Sequence, residues 1–190
     1  MFYLASASPR RRELLTQIGV SFELAPVAID ETPHPAEAAR SYVERLAQQK
    51  AAAALASLDD PQAVVLGSDT SVILGEDILT KPDSTADARQ MLRRLSGQPH
   101  QVFTAVALLS HERQQVISVA TEVVFRALDE AEIDAYIATG EPMDKAGSYG
   151  IQGKGAILVD HISGSYSNVV GLPLTETAAL LKNFNIPVWA

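Results

Sequence analysis

Residues 2–19 pass from strand to helix with almost no loop between them, and a chain that begins this way is committed to a βα unit. Phe2 to Ala5 reads as a short buried strand. Ser8 suits the N-cap, and Pro9 the first helical position, where a missing N–H costs nothing. Leu14, Leu15 and Ile18 form an apolar stripe at helical spacing, and Gly19 stands where a C′ residue ends a helix, so the pattern predicts a helix from Pro9 to Ile18. Further strand-like runs are predicted at 63–66, 71–74, 101–109, 116–125 and 156–160, and helical patterns at 36–58, 86–95, 130–138 and 173–184. Ser84 with Asp87, and Asp129 with Glu132, have capping-box spacing. Strands alternating with helices indicate an α/β fold, and a hairpin over 101–125 with a polar tip at 111–115 makes its sheet mixed.

Composition narrows the partners. No linker rich in Gly, Pro or Ser divides the 190 residues, so a single domain over 1–190 is expected. A net charge of −8 argues against a general nucleic-acid binder held by phosphate neutralisation. No apolar run approaches the ~18 residues that span a membrane. The N-terminal apolar run is too short for a signal peptide, and the arginines follow it instead of preceding it. The absence of cysteine excludes disulfides and thiolate metal sites and fits a cytoplasmic location. Positive charge is concentrated at Arg10 to Arg12, Lys50, Lys81, Lys145 and Lys154. An acidic body with a basic focus suits a small polyanion and leaves carboxylates for a hard divalent cation.

Three arginines in the first turn of a helix oppose the helix dipole, and a bound phosphate would reverse that penalty. Lys50 occupies a place in the stripe Ala39, Val43, Leu46, Ala47, Ala54 and Leu58 where an apolar residue is expected. It either snorkels to water or aims its ammonium into a phosphate site. Asp69 interrupts apolar runs on both sides, as a turn residue of Gly-Ser-Asp-Thr or as a carboxylate requiring a charged partner or metal. Glu31 and Asp30 form an acidic pair in a loop before the long helix. Pro82 holds Lys81 in extended backbone, a way of presenting an ammonium at a fixed place. Arg93 and Arg94 read as solvated, and the four histidines as surface or turn residues without zinc-type spacing. Residues 140–155 hold five of the eleven glycines, either as an irregular loop or where backbone must closely approach something. Their spacing is not that of a Walker A loop, and Gly155 stands where a Mg²⁺-coordinating Ser or Thr belongs.

The run Leu4-Ala5-Ser6-Ala7-Ser8-Pro9-Arg10-Arg11 resembles the N-terminal signature of the Maf family of nucleoside triphosphate pyrophosphatases. The likeness continues through Ile29-Asp30-Glu31, Leu46 to Lys50, Gly67 to Thr70, Lys81-Pro82, Met91 to Gly97, Asp144 to Gly153 and Val170 to Pro173. It implies a mixed twisted sheet flanked by helices, of the kind shared with inosine triphosphatases, with a cleft between two lobes. It also implies cleavage of a nucleoside triphosphate to monophosphate and pyrophosphate, a Mg²⁺ or Mn²⁺ ion, and a homodimer. Carried over residue by residue, Asp69 is the catalytic and metal-binding carboxylate and Glu31 a second metal ligand. Ser8, Arg11, Lys50 and Lys81 hold the phosphates, and Ala146 to Gly153 forms part of the base-reading wall. Arg11, Thr70 and Gln152 match the branch that acts on dTTP and UTP. Ser68 and the run Asp30-Glu31-Thr32-Pro33 resemble instead the branch that acts on 7-methyl-GTP. A nucleotide-binding regulator of cell division is the alternative from another class.

Overall fold

In the computed structural model, which describes residues 1–190, the opening βα unit is β1 (Phe2–Leu4) followed by α1 (Pro9–Gln17). The chain continues through β2 (Glu23–Leu24), α2 (Ala39–Ser57), β3 (Val64–Leu74), β4 (Asp77–Leu79), α3 (Thr85–Leu95), β5 (Pro99–Leu109) and β6 (Gln114–Phe125). After α4 (Glu130–Ala138) come three short 3₁₀ turns, at Glu141–Asp144, Ala146–Ser148 and Lys154–Leu158. Strand β7 (Val159–Ser163) and helices α5 (Tyr166–Val170) and α6 (Leu174–Asn183) complete the chain. The strands hydrogen-bond in the order β2-β1-β3-β5-β6-β7, with β4 on β3. Strand β1 runs parallel to β2 and β3, whereas β4 is antiparallel to β3 and β7 to β6, so the sheet is mixed as expected. No helix is long and apolar enough to cross a membrane.

The chain forms two compact units. The first comprises Met1–Asp69, Thr104–Val119 and Gly171–Ala190. Its central event is the meeting of α2 with β3. A Cβ on Gly67 would lie 2.2 Å from the Ala47 carbonyl oxygen and 2.7 Å from the Ala51 nitrogen. Only glycine lets the helix backbone come this close to the strand. Val43, Leu46, Ala47, Ala51 and Ala54 are fully buried along the helix face that benefits.

The second unit comprises Thr70–Phe103 and Ala120–Val170. Its core joins Val72 and Leu79 to Ala88, Leu92 and Leu95 of α3, Ile133 and Tyr136 of α4, and Phe125 and Tyr149. Helix α4 begins with a full capping box: Asp129 accepts from the Glu132 N–H, and Glu132 from the Asp129 N–H. At α3 the box is half made, since Ser84 accepts from the Asp87 N–H while Asp87 turns to the N–H of Asp83.

Several expectations need correction. Strand β3 is unbroken through Gly67-Ser68-Asp69-Thr70, where two strands and a turn were expected. Helix α2 begins at Ala39 instead of Ala36, because Ala36 has φ 57°, outside the helical region. Ser8 occupies the N-cap position of α1, but its side chain makes no capping hydrogen bond. Strand β7 starts at Val159, the residues before it being coiled into a 3₁₀ turn. His100 is no surface residue: only 3% exposed, it shares its Nε2 with the Tyr149 hydroxyl at 2.8 Å and packs edge-on against Phe125.

Candidate functional site

Gly67 and Asp69 are two residues apart on β3 and therefore point to the same face. The close approach at Gly67 thus sets Lys50, between Ala47 and Ala51 on α2, beside Asp69. The Lys50 ammonium lies 2.7 Å from Asp69 Oδ1 and 2.7 Å from Glu31 Oε1. The Lys50 and Asp69 side chains are 12% and 9% exposed, so this is a largely desolvated pair with a second, more open carboxylate, Glu31, on it. Lys50 does not snorkel to water. A lysine in an apolar stripe is tolerable here because two carboxylates compensate its charge.

Glu31 reaches the cluster because α2 holds its loop. The Tyr42 hydroxyl donates to the Glu31 carbonyl at 2.8 Å. Arg45 donates to both carboxylate oxygens of Glu37, 2.7 Å each, and to the Thr32 carbonyl at 3.2 Å. These hydrogen bonds hold the Glu37 carboxyl down to about 2. Burial, with the nearby charges of Asp69 and Glu31, pushes the Tyr42 phenol up to about 12, so it remains a donor.

From α1, Arg11 turns inward while Arg12 is exposed. Arg11 Nε donates to the Gly171 carbonyl at 2.9 Å and Nη1 to Ser6 Oγ at 3.4 Å. The same carbonyl accepts from Ser68 Oγ at 3.3 Å. Burial draws the guanidinium below its ordinary value and the charge of Asp69 opposes the shift. Ser8 is half-buried, and its N–H donates to Ser6 Oγ at 3.2 Å. The first unit therefore brings together Arg11, Glu31, Lys50 and Asp69, with Ser8 joined to Arg11 through Ser6.

Thr70, Lys81 and Gln152 belong to the second unit. Thr70 follows Asp69 directly in β3 and is half-buried. Lys81 is exposed ahead of the buried Pro82, and the adjoining Thr80 carbonyl accepts from the Gly147 N–H at 3.2 Å. Gln152 is exposed in a segment whose neighbours Tyr149 and Ile151 face the core. Arg93 and Arg94 form surface pairs with Glu130 and Asp77, in keeping with their solvated reading.

The residue reading missed the supports: Ser6, the Gly171 carbonyl, and the Tyr42–Arg45 clasp. Val170 to Pro173 had stood out only through the resemblance. The clasp left no signal at all, because Arg45 and Glu37 lie eight residues apart on opposite sides of a helix start. Chemically, the cluster offers oxygen ligands in Glu31 and Asp69, and cations in Lys50 and Arg11. No group of three His, Cys, Asp or Glu residues converges that could hold a metal alone. Two carboxylates completed by phosphate oxygens and water form the donor set that Mg²⁺ or Mn²⁺ takes beside a polyphosphate.

The sequence profile of the Maf-like protein family matches residues 1–184. The dTTP/UTP pyrophosphatase of Hahella chejuensis is 52% identical over 188 residues, covering 98% of this chain and 94% of that one. That of Alcanivorax borkumensis is 53% identical over 190 residues, with 100% and 98% covered. That of Yersinia pestis is 55% identical over 184 residues, with 96% and 92% covered. Among solved structures, the Staphylococcus aureus Ham1 protein is similar at a TM-score of 0.44 and 13% identity over 65% of this chain and 71% of that one, a likeness too slight to argue from. With the profile covering nearly every residue and the relatives aligning end to end, the chain belongs to the Maf family.

Proposed function

We propose that this chain hydrolyses dTTP and UTP to the monophosphate and pyrophosphate, with Asp69 as the proton-accepting and metal-binding carboxylate. The observation that carries the reading is the Lys50 ammonium held 2.7 Å from both Asp69 and Glu31 inside an otherwise apolar helix face. Desolvated charge clusters of this kind concentrate at functional sites. Two of the three ammonium donors serve the carboxylates, and the third can meet a phosphate oxygen. Arg11 adds a fixed guanidinium from α1 and Ser8 a hydroxyl, and the family resemblance makes Lys81 a further phosphate-holding ammonium.

A water oxygen attacks the α-phosphorus, the bond from that phosphorus to the bridging oxygen breaks, and pyrophosphate leaves with the electron pair. Asp69 takes the proton of the attacking water. Lys50 and Arg11 absorb the charge that develops on the phosphoryl oxygens, the largest lever in such reactions. Glu31 and Asp69 would hold Mg²⁺ or Mn²⁺, which supplies Lewis-acid polarisation of the phosphate when bound. Gln152, whose amide donates and accepts at once, suits the mixed edge of a pyrimidine, with Thr70 and Arg11 as companion selectors. A homodimer, which the family resemblance suggests, and a cytoplasmic location, which fits the absence of cysteine, are part of the same reading.

The test is a panel of nucleoside triphosphates, 7-methyl-GTP included, incubated with Mg²⁺ or Mn²⁺ while pyrophosphate release is measured. Turnover of dTTP and UTP above the purine substrates is expected. Binding of nucleotide without pyrophosphate release would favour the regulator instead.

A further inference from the structure

Gln152 can select a base only if its backbone is fixed, and the structure shows an unusual device fixing it. Glu141 Oε1 accepts from the Tyr136 hydroxyl at 2.8 Å and from the Gly155 N–H at 3.0 Å, while Oε2 accepts from the Lys154 N–H at 2.9 Å. The Tyr136 hydroxyl in turn accepts from the Gly150 N–H at 3.1 Å. One carboxylate and one phenol thus grip the chain on both sides of Gln152. The glycines are where they are because of this grip. A Cβ on Gly153 would lie 2.3 Å from Glu141 Oε2, and one on Gly155 2.6 Å from the Tyr136 hydroxyl oxygen. The density of glycine in 140–155, which on sequence alone suggests close approach to a ligand, is explained at these positions by close approach to Glu141 and Tyr136.

We propose that Glu141, acting with Tyr136, is a positioning residue that sets pyrimidine selectivity by fixing the backbone that carries Gln152, without itself touching the nucleotide. The inference rests on the proposed reading of Gln152 as a base-facing residue. Both carboxylate oxygens are already engaged, which leaves Glu141 the role of a brace. The brace is anchored in rigid structure. Tyr136 is buried on the fully capped α4, and the Lys145 ammonium donates to the Glu141 carbonyl at 2.8 Å. Burial alone would push the Glu141 carboxyl up, but the two backbone N–H groups and the phenol hold it below its ordinary value. It is therefore an acceptor for all three donors at neutral pH. A glutamine could not do the same, because its amide nitrogen would face at least one N–H donor.

The experiment compares Glu141→Gln and Tyr136→Phe with the parent, using dTTP, UTP and GTP as substrates. Thermal midpoints and backbone amide exchange are measured on the same samples. For Glu141→Gln, KM for dTTP should rise roughly tenfold with kcat little changed, the signature of lost uniform binding. Preference for dTTP over GTP should fall by a similar factor, and the Lys154 and Gly155 amides should exchange faster. Tyr136→Phe keeps the packed ring, loses only the hydroxyl, and should show the same pattern more weakly. It carries the test if the first variant does not fold. Parental KM and selectivity in a folded variant would overturn the inference. So would a lower kcat at unchanged KM with exchange raised throughout, which marks a merely structural role. Failure of the parent to cleave dTTP or UTP would instead overturn the proposed function itself.

Discussion

Around Lys50, an ammonium and two carboxylates meet at 2.7 Å on side chains carried by a long helix, a long strand and a clasped loop. Around Gln152, the short contacts run to backbone N–H groups, and the chain is shaped by what glycine leaves open. The difference teaches what each region does best. Charges that stabilise a developing charge must be stiff and desolvated, and regular secondary structure with a clasp provides that. A surface that reads a base needs a fixed backbone contour, and a braced glycine-rich segment provides that. The two regions should therefore break differently: the first by loss of charge, the second by loss of backbone support.

The sharpest break expected is Asp69→Asn. The amide keeps the shape of the side chain and an oxygen for Lys50, so the thermal midpoint should move little. Activity toward dTTP should fall by roughly 10²–10⁴-fold if the carboxylate is the proton acceptor. Parental turnover in this variant would remove the Lys50 cluster from the chemistry altogether.

Lys50→Met tests the same cluster through stability. From the apolar stripe alone, a methionine at this place looks harmless. The ion pairs reverse that expectation, because removing the ammonium leaves Asp69 buried at 7% exposure beside a second carboxylate. A loss at or below the roughly 3–5 kcal/mol of a broken buried pair is expected at pH 7, because the Arg11 charge still acts on Asp69. Urea denaturation measures it. The double variant Lys50→Met, Asp69→Asn should recover much of the loss, and a single variant as stable as the parent would show that the pairs contribute nothing.

In the second unit the comparison turns on a neutral group. His100 is buried against Phe125 and Tyr149, and burial lowers its pKa to about 4. In the unfolded chain it titrates near its ordinary value of about 6.5. Above that pH both states are neutral and proton binding contributes nothing to the difference between them. As pH falls from about 6.5 toward 4 only the unfolded state gains the proton, so stability drains away over that window. The loss is on the order of 3 kcal/mol by linkage. Subtracting the urea-unfolding profile of His100→Gln from that of the parent isolates this part. A difference that stays constant from pH 7.5 to 4 would show that His100 does not titrate with folding.

The residues that announce themselves in the sequence are those that break a local pattern. Lys50 in an apolar stripe, Asp69 between apolar runs and three arginines at a helix start were legible, and the structure brings Lys50, Asp69 and Arg11 into one cluster. The elements carrying them were legible too, because apolar period and caps are local signals. Long-range compensation left no such mark. Gly67-Ser68-Asp69-Thr70 suggested a turn, yet β3 runs straight through it. Ser68 bonds a carbonyl more than a hundred residues away, and Asp69 is compensated by a lysine on another element. His100 looked like a turn residue because only the tertiary fold supplies Tyr149. Glu141 did not stand out, because two of its three partners are backbone N–H groups, which every sequence has.

The smallest expected effect, at Ser148, bears most directly on backbone support. Ser148 is fully buried with φ 61°, a left-handed conformation that L residues adopt only under constraint. Its hydroxyl donates to the Met91 sulfur at 3.1 Å, a weak acceptor. Glycine at this place would relieve the strain, lose that weak bond and add freedom to the unfolded chain, three effects of about 1 kcal/mol or less that largely cancel. Alanine would lose the bond and keep the strain. At an unstrained position alanine is the more stabilising of the two by about 0.4–1 kcal/mol. Here the order should invert, with Ser148→Gly within about 1 kcal/mol of the parent and Ser148→Ala below it. Urea unfolding of the pair at pH 7.5 reads the order directly. If Ser148→Ala proves the more stable, the left-handed turn is not a source of strain, and the contour of this segment rests on the Glu141 and Tyr136 contacts alone.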